Sequence, residues 1–237
     1  MRVAVVENTR VSHLGQVGVA LEEAGADLDI FRPWDGGALP DGIDNHDALV
    51  VLGGEQNALD DETHPYLPEL ARLMRAFGDA GKAVLGICLG SQILARAYGG
   101  ENKLNAAREF GWHEVRLTDE AATDPVLRTV GDRFPIFQWH SDTFSLPEGA
   151  VRLATNDTTR NQAFRVGRAA YGTQFHFEAS RSVVDAWNAE FISMMVSLDP
   201  DWPERHPDMA EEHGRLADEV GLTLARAWVR QIGQPGA

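Results

Sequence analysis

Short apolar runs and amphipathic stretches alternate through the first hundred residues. The apolar runs occupy residues 3–6, 28–31, 48–52 and 83–85. Their length and content of β-branched side chains predict buried strands. Between them, apolar residues recur at helical spacing: Leu14, Val17, Leu21, Ala24, then Leu67, Leu70, Met74, Phe77. Strands that alternate with helices predict a parallel sheet covered on both faces.

From about Trp112 onward the pattern changes, because several short β-like runs follow one another with turns between them and little helical spacing. These runs cover residues 115–117, 134–137, 151–154, 162–166 and 170–175. We expect a mixed, partly antiparallel portion of the same α/β domain.

The last part of the chain returns to helical spacing. One apolar face is predicted to be buried, formed by Val184, Trp187, Phe191, Met194 and Leu198. Residues 199–207 contain three prolines and predict a loop. A final helix over residues 209–232 has apolar positions at Leu216, Val220 and Leu224, although Gly221 weakens it. We therefore expect one domain over residues 1–198 and a helical extension over 199–237 packed on it; whether the last helix serves core packing or a homodimer contact stays open.

Composition narrows the classes of partner. Hydrophobic residues make up 43% of the chain, and the net charge of −15 argues against nucleic acid or an anionic membrane surface as the main partner. The single cysteine excludes an intramolecular disulfide framework, which suits a reducing cytoplasm. No apolar segment approaches the roughly 20 residues that a membrane helix needs. These observations predict a soluble, cytoplasmic protein that does not bind membranes.

The only cysteine, Cys88, lies between Gly86 and Gly90, after an apolar run and before a helical pattern. Strand, tight glycine turn and helix are the parts of a nucleophile elbow, here with a thiol. The N-terminus of the following helix would favour the thiolate. A lone cysteine is more often an inert buried residue, so the elbow needs a base.

His176 and Glu178 supply the candidate base and its orienting carboxylate. If residues 174–178 form a strand, the period of two puts His176 and Glu178 on one face and Phe175 and Phe177 on the other. Glu178 could then bond one imidazole nitrogen and leave the other for Cys88. This is a triad of nucleophile, base and orienting group. Backbone amides of Leu89, which follows the nucleophile, and of Gly54, which follows a strand end, would bind the oxyanion.

The Cys88 turn, the upstream Gly53-Gly54 pair and the His176-Phe-Glu178 motif together resemble the class I, triad-type glutamine amidotransferases. The similar branch contains the glutaminase domain of GMP synthetase. The resemblance extends over residues 3–180, most of the chain.

The resemblance implies a flavodoxin-like, doubly wound fold and attack of Cys88 on the side-chain amide of glutamine. A γ-glutamyl thioester would form, ammonia would leave, and water activated by His176 would hydrolyse the thioester. The resemblance also assigns a set of substrate-binding positions: Gly53, Gln92, Trp139, His140, Ser141 and Asp142. Serine stands at Ser141 where glycine is common in that branch, and His140 is as readily explained by a local backbone bond.

No cofactor and no metal are expected, because the acidic residues Asp60, Asp61 and Glu62 near His64 are typical of a solvated loop. The family usually delivers ammonia to a synthetase, but the chain has no P-loop motif. The ammonia acceptor would therefore be a separate synthetase or ligase chain.

Three alternatives stay open. The same triad could cleave γ-glutamyl peptides or other γ-glutamyl compounds, with water or an amine as the final acceptor. The chain could instead be a non-catalytic binding protein that keeps the fold. An unrelated elbow hydrolase is the third, although a His-x-Glu pair on one strand is unusual for that class.

Overall fold

The computed structural model describes residues 1–234. Its strands, in chain order, are β1 (Arg2–Val6), β2 (Asp27–Phe31), β3 (Ala48–Val51), β4 (Ala83–Ile87), β5 (Asn102–Lys103), β6 (Glu109–Leu117), β7 (Arg133–His140), β8 (Thr143–Phe144), β9 (Val151–Thr155), β10 (Ala163–Val166) and β11 (Ala170–Thr173). Its helices are α1 (Gly15–Glu23), α2 (Leu67–Asp79), α3 (Leu89–Ala97), α4 (Arg181–Leu198), α5 (Trp202–Met209) and α6 (Arg215–Val229).

Nine of these strands form one sheet in the order β2-β1-β3-β4-β11-β10-β9-β6-β7. The first five strands in this order pair in parallel, and the remaining pairings are antiparallel. Strands β5 and β8 form a small separate antiparallel pair. The predicted mixture is confirmed: a parallel half built from the first hundred residues meets an antiparallel half, and β11 joins the two next to β4.

Helices cover both faces of the sheet, as the alternating pattern predicts. One apolar core takes side chains from α1, α4, α5 and α6, and the other takes side chains from α2 and α3. Strands β3 and β4 are buried along their whole length, because each face of the sheet has its own helix layer. The fold class is the flavodoxin-like, doubly wound α/β arrangement that the sequence predicted.

The prediction of a loop over residues 199–207 is wrong, because α5 begins at Trp202. Pro203 lies in the first turn, where a missing N–H removes no helical hydrogen bond. Pro207 lies further in, and a π-helical turn (Ala210–Gly214) follows before α6. Trp202 is 1% exposed and its ring centroid lies 4.6 Å from that of Phe110, so aromatic packing holds a helix that the prolines alone would disfavour.

The buried faces of two helices differ from those that the helical spacing predicted. Leu216 is 47% exposed, because the buried side of α6 runs instead through Ala217, Gly221, Leu224 and Trp228. On α4, Val184 and Trp187 are buried but Met194 is 43% exposed. The backbone of Phe191 departs from helical geometry (φ −117°, ψ 20°) and kinks this helix. Beyond the kink, Met195 keeps α4 in the core, whereas the side that carries Met194 faces outward.

The C-terminal helices share the core of the preceding residues. Trp228 on α6 is fully buried, and its indole N–H donates to the carbonyl oxygen of Val84 on β4 at 3.3 Å. A division of the domain at residue 198 stays a prediction, and residues 235–237 lie outside the described part. None of the helices described is both long enough and apolar enough to pass through a membrane.

Candidate active site

Cys88 occupies a sharp turn between β4 and α3. Its backbone angles are φ 52° and ψ −108°, a sparsely populated region that costs about 1–3 kcal/mol and persists only where the surroundings impose it. A Cβ atom at Gly86 would overlap the Gly90 carbonyl, and one at Gly90 would overlap the Val51 carbonyl. Both glycines are therefore needed for helix α3 to approach the strands this closely, as the elbow motif predicted.

The thiol of Cys88 lies at the N-terminus of α3, where the helix dipole favours a negative charge. The side chain is nearly buried: the residue is 7% exposed. Its sulfur lies 3.6 Å from the Trp139 carbonyl oxygen and 3.8 Å from the side-chain nitrogen of Gln174. The Cys88 amide donates to the carbonyl of Thr173 at 2.8 Å, which ties the elbow to β11.

His176 and Glu178 meet as predicted, but not on a strand. β11 ends at Thr173, and the following residues are irregular except for one bridge between His176 and Phe137. The imidazole Nδ1 lies 2.6 Å from the Glu178 carboxylate, and both residues are buried. Phe175 and Phe177 belong to the apolar core, whereas His176 and Glu178 border the cavity, so the predicted division of side chains holds without a continued ladder of hydrogen bonds.

Electrostatics favour the protonated form of His176. Burial acts to lower the pKa of His176, but the negative charges of Glu178 and Cys88 outweigh burial and raise this pKa above its ordinary value. The imidazolium can therefore stabilise a thiolate on Cys88 and serve as a proton donor.

The predicted oxyanion donors border the same space. Neither the amide of Gly54 nor that of Leu89 donates a hydrogen bond to another group among residues 1–234. A Cβ atom at Gly54 would lie 2.9 Å from the Leu89 side chain, which shows that the two residues adjoin. A Cβ atom at Gly53 would lie 3.2 Å from the His176 ring and 3.6 Å from the Cys88 Cβ. Cys88, His176 and the two candidate donor residues thus adjoin one another and border one cavity.

Gln92 lies on the cysteine's side of α3 and is 4% exposed. Its amide nitrogen lies within hydrogen-bonding distance of the Asp142 carbonyl oxygen (3.4 Å) and of the Gln174 side-chain oxygen (3.3 Å). Gln174 therefore links Gln92 to Cys88. Sequence reasoning missed Gln174 as a site residue, although a polar residue inside an apolar β-like run was the available signal.

The Trp139-to-Asp142 segment also borders the cavity, but the His140 ring points into the protein. Its Nδ1 bonds the Asp142 carbonyl at 3.0 Å and its Nε2 bonds buried Glu109 at 3.2 Å. Asn156 and Gln162 donate to the same carboxylate. Burial acts to raise the pKa of Glu109, but His140 and the hydrogen bond from Asn156 bring this pKa below its ordinary value. Neither ring nitrogen of His140 is left for a substrate, so the ring supports the segment from behind.

A cavity of about 450 Å³ joins these groups. Every residue that the sequence singled out for the site borders it. The sequence missed its outer wall, which α4 supplies through Trp187, Phe191, Met194 and Leu198. The available signal was the helical spacing of these residues, which we interpreted as a buried face.

No group of three or more metal-ligating side chains is found among residues 1–234.

Comparison with known proteins gives one family. The model of the class-I glutamine amidotransferase family matches residues 12–190. The glutamine amidotransferase-like protein YfeJ of Salmonella typhimurium is 29% identical, and the match covers 96% of this chain and 99% of that protein. A glutamine-hydrolysing GMP synthase subunit of Methanoculleus marisnigri is 38% identical over 56% of this chain and 67% of its own length.

A different activity is named for another relative. Gamma-glutamyl peptidase 5 of Arabidopsis thaliana is 29% identical over 74% of this chain and 70% of its own length. Among solved structures, a glutamine amidotransferase from Thermotoga maritima superimposes with a TM-score of 0.86 at 27% identity and covers 99% of both chains. The predicted resemblance is confirmed, including its GMP synthetase branch.

Proposed function

Because the chain belongs to the class-I glutamine amidotransferase family, we propose that it cleaves the side-chain amide of glutamine through a γ-glutamyl thioester on Cys88. One observation carries this proposal: a thiol at a strained elbow and a His176–Glu178 pair at 2.6 Å border the same cavity. The released ammonia would pass to an acceptor held by a separate synthetase or ligase chain.

In the first half-reaction the Cys88 sulfur attacks the amide carbon of glutamine. The amides of Gly54 and Leu89 donate to the oxyanion, an interaction for which each donor contributes about 10²–10³ in rate. The imidazolium of His176 then gives its proton to the amide nitrogen as the C–N bond breaks. Ammonia leaves and the thioester remains.

In the second half-reaction water attacks the thioester carbon. His176, now neutral, takes a proton from this water, and the C–S bond breaks to release glutamate. Glu178 holds the ring by its Nδ1 in both steps and stabilises the imidazolium. The sum is glutamine plus water giving glutamate and ammonia.

A second candidate keeps this chemistry and changes the amine. The cavity of about 450 Å³ lies within the range of sites that hold drug-sized ligands. It therefore has room for γ-glutamyl compounds with larger amines, and their hydrolysis would need no partner chain.

Labelling with a diazo-ketone analogue of glutamine tests the shared chemistry. We expect one covalent adduct on the peptide that contains Cys88, found by mass spectrometry, and protection by excess glutamine. Absence of the adduct, together with no hydrolysis of glutamine or γ-glutamyl amides, would contradict catalysis and favour a non-catalytic binding protein.

A further inference from the structure

The cavity has an aromatic wall, formed by Trp139, Trp187 and Phe191, that the proposed chemistry with glutamine does not use. The Trp187 ring lies edge-on to the His176 ring, with centroids 5.2 Å apart. Trp139 lies between Trp187 and Phe191, at 5.6 Å from each. The aromatic wall therefore begins at the proposed general acid and extends outward along α4.

The position of the leaving group follows from the proton it must receive. The nitrogen of the scissile amide has to come within hydrogen-bonding distance of His176, since that ring supplies its proton. A substituent on this nitrogen therefore lies next to His176, and the Trp187 ring of the aromatic wall adjoins the His176 ring at 5.2 Å. Phe191, Met194 and Leu198 border the same cavity.

The charges along the cavity indicate which substituents fit. No lysine or arginine borders the cavity in the described part of the chain, whereas the acidic residues Glu55, Asp60 and Asp142 do. Arg10, near the rim, pairs with Glu190, and Arg108 donates to the Leu198 carbonyl at 3.1 Å. A carboxylate on the leaving group would find no lysine or arginine here to pair with, whereas the departing amine, once protonated, would be attracted by the acidic residues.

We propose that the aromatic wall is a leaving-group subsite and that the preferred substrate is the γ-glutamyl amide of an aromatic or apolar amine without a carboxylate. This inference rests on the proposed thioester chemistry. The sulfur of Cys88 displaces the amine, which takes its proton from His176, and water then releases glutamate. The net reaction is γ-glutamyl amide plus water giving glutamate plus the free amine.

A matched series of substrates tests the proposal on the full-length protein. The substrates are L-glutamine, γ-glutamylethylamide, γ-glutamylphenethylamide and γ-glutamylphenylalanine, with glutamate release as the common readout. The last two differ only in one carboxylate. We expect kcat/KM for the phenethylamide to exceed that for glutamine at least about tenfold, the scale on which apolar pockets discriminate, and γ-glutamylphenylalanine to be the poorer of the aromatic pair.

Variants of α4 test the location. Phe191→Ala should lower kcat/KM for the phenethylamide about tenfold and reduce its ratio to that for glutamine, whereas Phe191→Leu should keep an intermediate ratio. Ile192→Ala is the matched control, because Ile192 is 40% exposed and does not border the cavity; its ratio should equal that of the wild type.

The two proposals fail differently. Equal or better turnover of glutamine than of the phenethylamide, no preference against the carboxylate, or an unchanged ratio in Phe191→Ala would overturn the leaving-group subsite while leaving thioester chemistry in place. No turnover of any member of the series and no labelling of Cys88 would overturn the proposed function itself.

Discussion

Glu178 forms hydrogen bonds through both its side chain and its backbone. Its side chain binds Nδ1 of His176, and its backbone carbonyl accepts a hydrogen bond from the amide of Gln16 at 2.9 Å. The orientation of the imidazole therefore depends on a carboxylate whose own backbone is anchored at the start of α1. A short hydrogen bond to one ring nitrogen leaves the other nitrogen for Cys88.

Removal of either reacting group should abolish turnover. We expect Cys88→Ala and His176→Ala each to lower kcat by about 10⁴-fold or more, because nucleophile and base act as one unit. Glu178→Gln should cost less, since the amide oxygen can still accept from Nδ1. Glutamate release measures all three variants. His113→Ala is the control on the exposed part of β6, and a loss there equal to that of His176→Ala would contradict the assignment.

The pKa of His176 gives a second prediction for a single residue. The charge of Glu178 raises this pKa and burial lowers it. Glu178→Gln removes the charge but keeps the burial, so the pKa should fall and the imidazolium should be lost at a lower pH than in the wild type. NMR titration of ¹³C-labelled histidine measures it, with His176→Ala to assign the signal. An unchanged or higher pKa would show that Glu178 does not control the protonation of the ring.

At the scale of elements, α6 packs against the segment that carries the base. Gly221 on α6 faces the Phe177 carbonyl so closely that a Cβ atom would overlap it. In the sequence this glycine only weakened a predicted helix. In the structure this glycine lets α6 approach Phe177, which lies between His176 and Glu178.

Gly221→Ala should therefore lower activity although alanine is the better helix former. An exposed helical site would gain about 0.5–1 kcal/mol from this change, but here the methyl group must push α6 or the Phe177 backbone aside. We expect a lower melting temperature and a lower kcat. Gly42→Ala is the control, because a Cβ at Gly42 meets open space. A more stable, fully active Gly221→Ala would disprove the close approach.

The elements of the parallel half could be predicted because their signals are local: apolar runs, helical spacing and the glycines around Cys88. The proximity of Cys88, His176 and Glu178 could be predicted because a thiol, an imidazole and a carboxylate each carry a chemical signature; their catalytic roles stay a proposal. The helix that begins at Trp202 could not be predicted from the local pattern, because its prolines disfavour a helix and aromatic packing with distant residues stabilises it. The outer wall of the cavity on α4 could not be predicted either, because helical spacing does not distinguish a face in the core from one that lines a cavity.

At the scale of the whole molecule, the C-terminal helices complete the core beneath the nucleophile strand. Trp202 and Trp228 are 1% and 0% exposed, and Trp228 donates to β4 itself. Residues after 198 thus contribute to the same core as Val3 and Val5 of the first strand, even though the family match ends at residue 190.

Trp228→Ala should destabilise the protein by about 3–5 kcal/mol, the range for deleting a buried aromatic side chain. That is a large share of a typical total of about 5–15 kcal/mol. Guanidinium unfolding measures the loss, with Trp34→Ala as the control at a partly buried position outside both cores.

A chain truncated after residue 198 should lose cooperative unfolding altogether. A truncated chain that is stable and unfolds cooperatively would instead support a separable extension.

The contacts of the 176–178 segment also bear on how the protein is made. This segment is held by Gln16 near the start of the chain and by α6 near its end. A ribosome synthesises Cys88 long before Gly221, so the nascent chain carries its thiol while the base has no fixed position. Until α6 has emerged from the exit tunnel, the 176–178 segment lacks its contact with Gly221, so we expect the His176–Glu178 pair to reach its position beside Cys88 only after α6 has folded.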